Sequence, residues 1–298
     1  MLNQGDREKV DQVWGHFAEH RDRTDCYLDI EYVQRVYQQR RYPQGQGFLD
    51  SIARATGGPF RTTLVLGCGD GRSERSAFEK GLLDRVVGVD LSQRALKKAA
   101  ELSRQAGLPH AEYREADLND LPEDLGSFHL ILAPASLHHV QELEGALDWI
   151  ARHLDADGIF AMGEYVGPSR FQWTDKQIEM TREVLELIPQ PFKLFANGEV
   201  KTAAWQPTEQ EIIDVDPTEA VRSGEILGLV ERRFDVIERI DLGGGLLFPL
   251  LQGIAHHYHH KDATALSLLR FLLYLDDVAV REGVLPTTSS DVIARARR

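Results

Sequence analysis

Three short segments carry residue types that can hold an adenosine-bearing ligand. The first is VLGCGDG, residues 65–71, which directly follows an apolar run. Gly67, Gly69 and Gly71 have no side chains, so the backbone there can turn tightly and come close to a ligand. The second is Asp90, at the end of the next apolar run. An acid at such a strand tip can accept both hydroxyl protons of a ribose. The third is Asp117 in EADL, after the third run, where the carboxylate or its neighbouring backbone can meet an adenine amino group.

The glycine spacing separates two cofactors. A dinucleotide site uses G-x-G-x-x-G, with a helix N-terminus facing the pyrophosphate. Here the spacing is G-x-G-x-G, and Asp70 follows the second glycine. A carboxylate beside a pyrophosphate is repulsive, whereas it can face the ammonium of a cofactor with an amino-acid end. The residues therefore favour S-adenosylmethionine over NAD.

Further candidates lie beyond the later apolar runs. His138 and His139 follow the fourth run, and histidine titrates near neutrality. Either they take a proton from an acceptor, or one packs on the cofactor while the other caps a helix. Glu164 and Tyr165 end the fifth run; Tyr165 joins the two histidines as a catalytic candidate, and Glu164 is a substrate contact. Arg170, Trp173 and Asp175 follow in a stretch that reads as a cap over the substrate. Trp173 is there either as lid packing or as a π face for a cation. In the N-terminal helices, Tyr27 and Arg41 are candidates to reach the ligand, Arg41 by a bidentate contact. The alternative for Arg41 is an exposed basic helix end. His256 and His260 in AHHYHH are four residues apart, which on a helix gives one face. No acidic or cysteine partner stands at motif spacing, so no metal is expected, and His256 is kept as a substrate contact. Nothing near Cys68 in sequence lowers its pKa, so it reads as a packing residue of the glycine loop.

These residues need strand tips to hold them. From Thr62 onward, short apolar runs (62–67, 85–91, 111–118, 129–135, 158–166) alternate with amphipathic segments. That rhythm marks β-α-β units and a parallel sheet. Ser92 reads as an N-cap for a helix ended by Gly107 and Pro109. Residues 6–56 read as helices, with Val10, Val13, Trp14 and Phe17 at helical spacing. Thr174–Ile188 reads as a helix, 190–215 as irregular or short strands, and Pro217 as the first turn of a helix running to about Arg233. A strand is expected at 234–242, helices at 246–260 and 263–283, and a last strand at about 290–297.

Composition bounds the partners. The chain has 298 residues, of which 42% are hydrophobic and 27% charged, which are globular values. Two cysteines cannot build a disulfide framework. A net charge of −13 argues against a nucleic-acid partner, which needs cations to displace phosphate counterions. The basic C-terminal residues Arg295, Arg297 and Arg298 read as a solvated tail. No stretch is apolar for long enough to span a membrane, and the start lacks the pattern of a secretory signal. The expectation is a cytoplasmic protein acting on a small molecule, with a homodimer as one possible assembly.

LVLGCGDGRSE, VVGVDLS, EADLNDLP and LILAPASLHHV together resemble the successive motifs of class I S-adenosylmethionine-dependent methyltransferases, over roughly residues 60–166. The resemblance implies an α/β, Rossmann-like sheet of seven mostly parallel strands with the last antiparallel. It implies that Gly67, Cys68, Gly69, Asp70 and Gly71 line the methionine end, that Asp90 and Leu91 hold the ribose, and that Asp117 and Leu118 flank the adenine. Pro134 and Ser136, with the segment to His139, would lie beneath the sulfonium. A narrower stretch, GEYVGPSRFQWTD (163–175), is similar to bacterial methyltransferases encoded near surface-polysaccharide and natural-product genes. The expected organisation is a helical cap over 1–58 and a methyltransferase domain over 59–298, with lid insertions at about 167–216 and 243–289. The expected activity is methyl transfer to a natural-product intermediate or sugar. Its rivals are a cofactor-consuming cyclase that makes azetidine-2-carboxylate and releases methylthioadenosine, and an NAD-dependent oxidoreductase.

Overall fold

A computed structural model describes residues 3–20, 26–41, 48–108, 110–259 and 262–297. Helix α1 (Gln4–His20) opens the chain, followed by a 3₁₀ turn at Tyr27–Asp29, α2 (Glu31–Arg41) and α3 (Phe48–Thr56). The alternating part follows as β1 (Phe60–Leu66), α4 (Arg72–Glu79), β2 (Leu83–Asp90), α5 (Gln93–Gln105), β3 (Ala111–Glu115), β4 (Phe128–Pro134), α6 (Leu143–His153) and β5 (Leu154–Tyr165). Then come α7 (Asp175–Leu187), α8 (Glu209–Val215), α9 (Ile226–Arg233), β6 (Phe234–Gly243), α10 (Leu247–Leu251), α11 (Ala263–Arg281) and β7 (Ser289–Ala296).

The seven strands form one sheet in the order β3-β2-β1-β4-β5-β7-β6. β7 runs antiparallel to both β5 and β6, and the pairs from β3 across to β5 are parallel. Side chains alternate across a strand, and both faces here are apolar. Leu64, Leu66, Val87, Val89, Ile131 and Phe160 point to a layer with α6 and α9. Val65, Val86, Leu130, Leu132 and Ile159 point to a layer with Ile52 of α3, Ala77 of α4 and Leu96 of α5. The strand order reverses between β2 and β4 on either side of β1. Open α/β sheets bind ligands at the carboxyl ends of the strands at such a crevice.

A second apolar cluster lies outside the sheet. It joins Tyr27, Ile30, Val33 and Tyr37 with Val184 and Leu185 of α7, Leu250 and Leu251 of α10, and Leu269 and Leu272 of α11. Buried Asp276 of α11 ties this cap to the sheet end, accepting the backbone N–H groups of Gly244 and Leu246 at 2.7 Å each.

Local signals explain most boundaries. Ser92 Oγ accepts from Ala95 N at the start of α5. Thr174 with Gln177, and Thr208 with Glu211, form capping boxes that start α7 and α8. The second box places a helix inside the stretch expected to be irregular or short strands. Pro217 does not open a helix. Asp216 ends α8 and its carboxylate turns back on Thr218, accepting its N–H at 2.8 Å and its hydroxyl at 2.6 Å. The expected helix over 246–260 breaks after α10, where Gly253 takes φ 85°, and leaves a single 3₁₀ turn at Ala255–Tyr258.

Candidate functional site

The loop after β1 is shaped by its glycines. Gly67, Gly69 and Gly71 take φ of 62°, 53° and 74°, the left-handed region that side chains resist. At Gly67 there is also no room: a Cβ would stand 2.5 Å from Ser136 Cβ, because the β1 and β4 tips approach there. Asp90, at the tip of β2, fixes the loop. Its Oδ2 accepts the Gly69 N–H and its Oδ1 the Ser92 N–H, both at 2.8 Å. Burial raises the pKa of this carboxyl against those bonds. Each oxygen retains a lone pair for a further donor.

These tips line a cavity of about 500 Å³. Its wall includes Gly67, Cys68, Gly69, Asp70, Asp90, Leu91, Asp117, Leu118, Pro134 and Ser136. Gly71 stands behind the loop, where a Cβ would press on Tyr113 and Ala99. Asp117 is already engaged: Oδ1 accepts from the backbone N–H and the side-chain amide of Asn119 at 2.9 and 2.8 Å, and Oδ2 pairs with Arg7 at 3.0 Å. Burial, with Glu74 and Asp90 nearby, pushes the Cys68 thiol well above its ordinary value, so it is no nucleophile.

The opposite wall comes from α1, which was read in sequence only as a helix. Val10, Trp14, Phe17 and Ala18 close the cavity, with Asp29, Arg72, Asn119 and Thr218 at its edges. α1 lies tightly on α5 because Gly15 has no side chain; a Cβ there would meet Arg94 Cβ at 2.9 Å. Asp11 adds a bond, accepting from Ser92 Oγ at 2.7 Å. The Trp14 indole donates to Asp216 Oδ2 at 2.8 Å and stands edge-on to the His139 ring.

His138 and His139 form a 3₁₀ turn after β4. His139 lines the cavity, and His138 packs beneath it with ring centroids 4.2 Å apart. Glu164, at the end of β5, is not on the cavity wall. Its Oε1 accepts the N–H groups of Ser136 and Leu137 at 2.6 and 2.7 Å, and its Oε2 meets His138 Nδ1 at 2.8 Å. Burial opposes charge on His138, but the Glu164 bond and the charges of Glu164, Glu219 and Asp216 outweigh it and push its pKa up to about 9. Burial and the charge of His138 hold His139 below its ordinary value.

Several residues read as ligand contacts lie elsewhere. Tyr165 donates to Pro168 O at 3.0 Å and packs on Phe171 and Phe248, away from the cavity. Trp173 is lid packing: it joins Phe171, Trp205 and Phe248, and its indole donates to Trp205 O. Arg170 grips the 217–219 backbone, donating to Pro217 O and Glu219 O at 2.7 and 2.8 Å. Asp175 sits exposed in the first turn of α7. Tyr27 is buried in the cap, and Arg41 pairs with Asp291 at 2.7 Å. His256 stacks on His257 in the 3₁₀ turn rather than on an α-helical face, and His260 lies outside the described residues. Among the described residues, the signals missed in sequence are Trp14 and Phe17, whose spacing revealed a helix but not its partner, and the Asp216–Glu219 turn.

Residues 64–162 match the family described as a methyltransferase domain. A ubiquinone biosynthesis O-methyltransferase of Paracidovorax citrulli is 31% identical over 117 residues, covering 39% of this chain and 47% of that protein. A trans-aconitate 2-methyltransferase of Azoarcus sp. is 34% identical over 113 residues, covering 38% and 42%. The chain thus spans less than half the length of these curated relatives. Among solved structures, the geranyl diphosphate C-methyltransferase of Streptomyces coelicolor, in complex with Mg2+, geranyl diphosphate and S-adenosyl-L-homocysteine, has a TM-score of 0.57 at 16% identity. That likeness covers 99% of this chain and 100% of that one, and it is a likeness of fold.

Proposed function

We propose that this chain, whose residues 64–162 are a class I S-adenosylmethionine-dependent methyltransferase domain, is a cytoplasmic enzyme that methylates a small molecule and leaves S-adenosylhomocysteine. The observation that carries this reading is the cavity at the β1, β2 and β4 tips, with Asp90 held between Gly69 and Ser92. The residues present suit the cofactor. Asp90 is placed to receive ribose hydroxyls, Leu118 and Asn119 to flank the adenine, and the bare loop at Gly67 and Gly69 to admit the methionine arm. Bound there, S-adenosylmethionine supplies an electrophilic methyl group for direct displacement.

Asp29, Asp70, Asp90 and Asp117 face the cavity with Arg72, while Arg7 pairs with Asp117 and Arg75 with Asp70. A sulfonium with an ammonium arm fits such a wall, and a free polyanion does not. The acceptor in this proposal is a hydroxyl-bearing natural-product intermediate or a sugar. Ser136, His139 and Trp14 surround the position where the acceptor would meet the methyl group. Their contribution is orientation and exclusion of water, which can supply much of the rate. We also assign the Tyr27–Tyr37 stretch and the insertions at about 167–216 and 243–289 to one cap, on the strength of the apolar cluster that joins them; α3, within the expected 1–58 cap, packs on the sheet instead.

A second reading rests on the size of the cavity. About 500 Å³ is near the lower end for ligand sites, and the cofactor takes up much of it. In that case the site would hold the cofactor as substrate for cyclisation, in which the deprotonated amine displaces methylthioadenosine from the γ carbon to give azetidine-2-carboxylate, the amine proton going to solvent. Calorimetry with S-adenosylmethionine is the first test. Asp90→Ala removes a charged acceptor from two hydroxyls, a loss of about 1.5–3 kcal/mol, so affinity should fall at least tenfold. An unchanged affinity would falsify the pocket assignment. Product analysis then separates the readings: S-adenosylhomocysteine with an acceptor supports transfer, and methylthioadenosine from cofactor alone supports cyclisation.

A further inference from the structure

The two histidines beside the cavity are arranged for more than packing. Each has its Nδ1 committed away from the site. His138 Nδ1 meets Glu164 Oε2 at 2.8 Å, and Glu164 is locked by the two backbone N–H groups it accepts. His139 Nδ1 meets Thr218 Oγ1 at 3.0 Å. Because the Thr218 hydroxyl donates to Asp216 Oδ1, its oxygen is left to accept the His139 N–H. This fixes the tautomer of His139 and aims its Nε2 lone pair at Glu219. His138 Nε2 stands 3.8 Å from Glu219 Oε1, and His139 Nε2 stands 3.9 Å from Glu219 Oε2. Those separations are too long for hydrogen bonds. One ligand atom from each of the three residues falls within 4.8 Å of the others.

We propose that His138 Nε2, His139 Nε2 and the Glu219 carboxylate bind a divalent first-row transition-metal ion, whose open positions hold an oxygen of the acceptor beside the cofactor's methyl group. Two imidazoles and one carboxylate are a donor set that leaves coordination positions free, and imidazole selects transition ions over Mg2+ or Ca2+. Metal–ligand distances of about 2.0–2.2 Å are reached when the three side chains draw together around the ion. Metal-bound histidines characteristically donate their other N–H to a carboxylate or hydroxyl, as Glu164 and Thr218 provide here.

The surroundings agree. Glu164, Asp216 and Glu219 gather around the two rings, while the guanidinium of Arg170 is turned onto backbone carbonyls. The backbone is also held in a costly form on both sides of the ligand set. Ala135 and Ala220 take φ of 56° and 50°, and strain of this kind persists where the surroundings impose it. The Val221 N–H donates to His138 O at 3.0 Å, clamping the Glu219 turn to the histidine turn.

The role of the ion rests on the methyl-transfer reading; its binding does not. Chelator-treated full-length protein is titrated with Co2+, read by visible absorption, and with Zn2+, read by calorimetry. Expected is one ion per chain, with affinity at least tenfold weaker in His139→Ala and in the isosteric Glu219→Gln. Glu219 does not line the cofactor cavity, so S-adenosylmethionine affinity in Glu219→Gln should stay within about threefold of the parent, which also reports that the variant is folded. No heat and no cobalt spectrum at millimolar metal would overturn the site, and so would binding that survives both substitutions. Loss of S-adenosylmethionine binding in the unmodified protein would instead remove the functional reading and leave the metal site standing.

Discussion

Glu74 lies in the first turn of α4, fully covered, with its oxygens beside Gly88 and the Tyr113 ring. Burial pushes its carboxyl from 4.5 up to about 8, against the weaker lowering influence of Arg75. The folded chain therefore keeps a proton that the unfolded chain releases above its ordinary value. Stability tied to this group is present below about pH 4.5 and is lost as pH rises through about 8. Glu74→Gln keeps the shape and removes the titration. Thermal melts should show the stability of the variant relative to the parent rising steadily from pH 5 to pH 8. A constant difference across that range would mean that Glu74 is ionised in the folded protein.

At the scale of elements, α1 is the part that turns an open crevice into a cavity. It carries few apolar residues of its own, and its hold on the domain is largely polar: Arg7 to Asp117, Asp11 to Ser92 and Trp14 to Asp216. Bonds of this kind, partly exposed, are each worth about 1 kcal/mol, so the helix can open without unfolding the sheet. Trp14→Ala removes both a cavity wall and the bond to Asp216. Stopped-flow release of S-adenosylmethionine should be about tenfold faster in this variant, with the melting temperature falling by only a few degrees. Equal release rates would show that α1 is not the gate. The sequence showed α1 as a helix from Val10, Trp14 and Phe17, but its docking on α5 depends on Gly15 meeting Arg94, a contact between distant segments.

For the molecule as a whole, the sheet and α1 share one cavity. The cavity draws its wall from β1, β2, β4, α1 and the Thr218 turn, so a bound cofactor should stabilise them together. At a concentration one hundred times Kd, the gain is about 2.7 kcal/mol, which for a chain of this size corresponds to a rise of about 5 °C in Tm. Calorimetric scans with and without S-adenosylmethionine should show a single transition moving by that amount. Two transitions, only one of them shifted, would mean that the cap and the sheet unfold separately.

The cofactor end of the site was legible in the order of residues because it is built from strand tips. Gly67, Gly69, Asp90 and Leu118 each follow an apolar run, and the sheet order brings successive runs side by side. β1, β2, β4 and β5 were legible for the same reason: runs buried on both faces stand out against amphipathic helices, whereas β3 (AEYRE) has no buried residue and follows from the alternating rhythm alone. The rest of the cavity wall was legible only in part, through Ser136 and His139 after the fourth run. Tyr165, Trp173 and Arg41 look chemically able, yet packing turned them into the cap, while Trp14 and Thr218 reached the cavity wall from segments with no strand rhythm. Which polar side chains meet across 80 residues of chain depends on how loops close over the sheet, and such long-range closure leaves no periodic trace in the sequence.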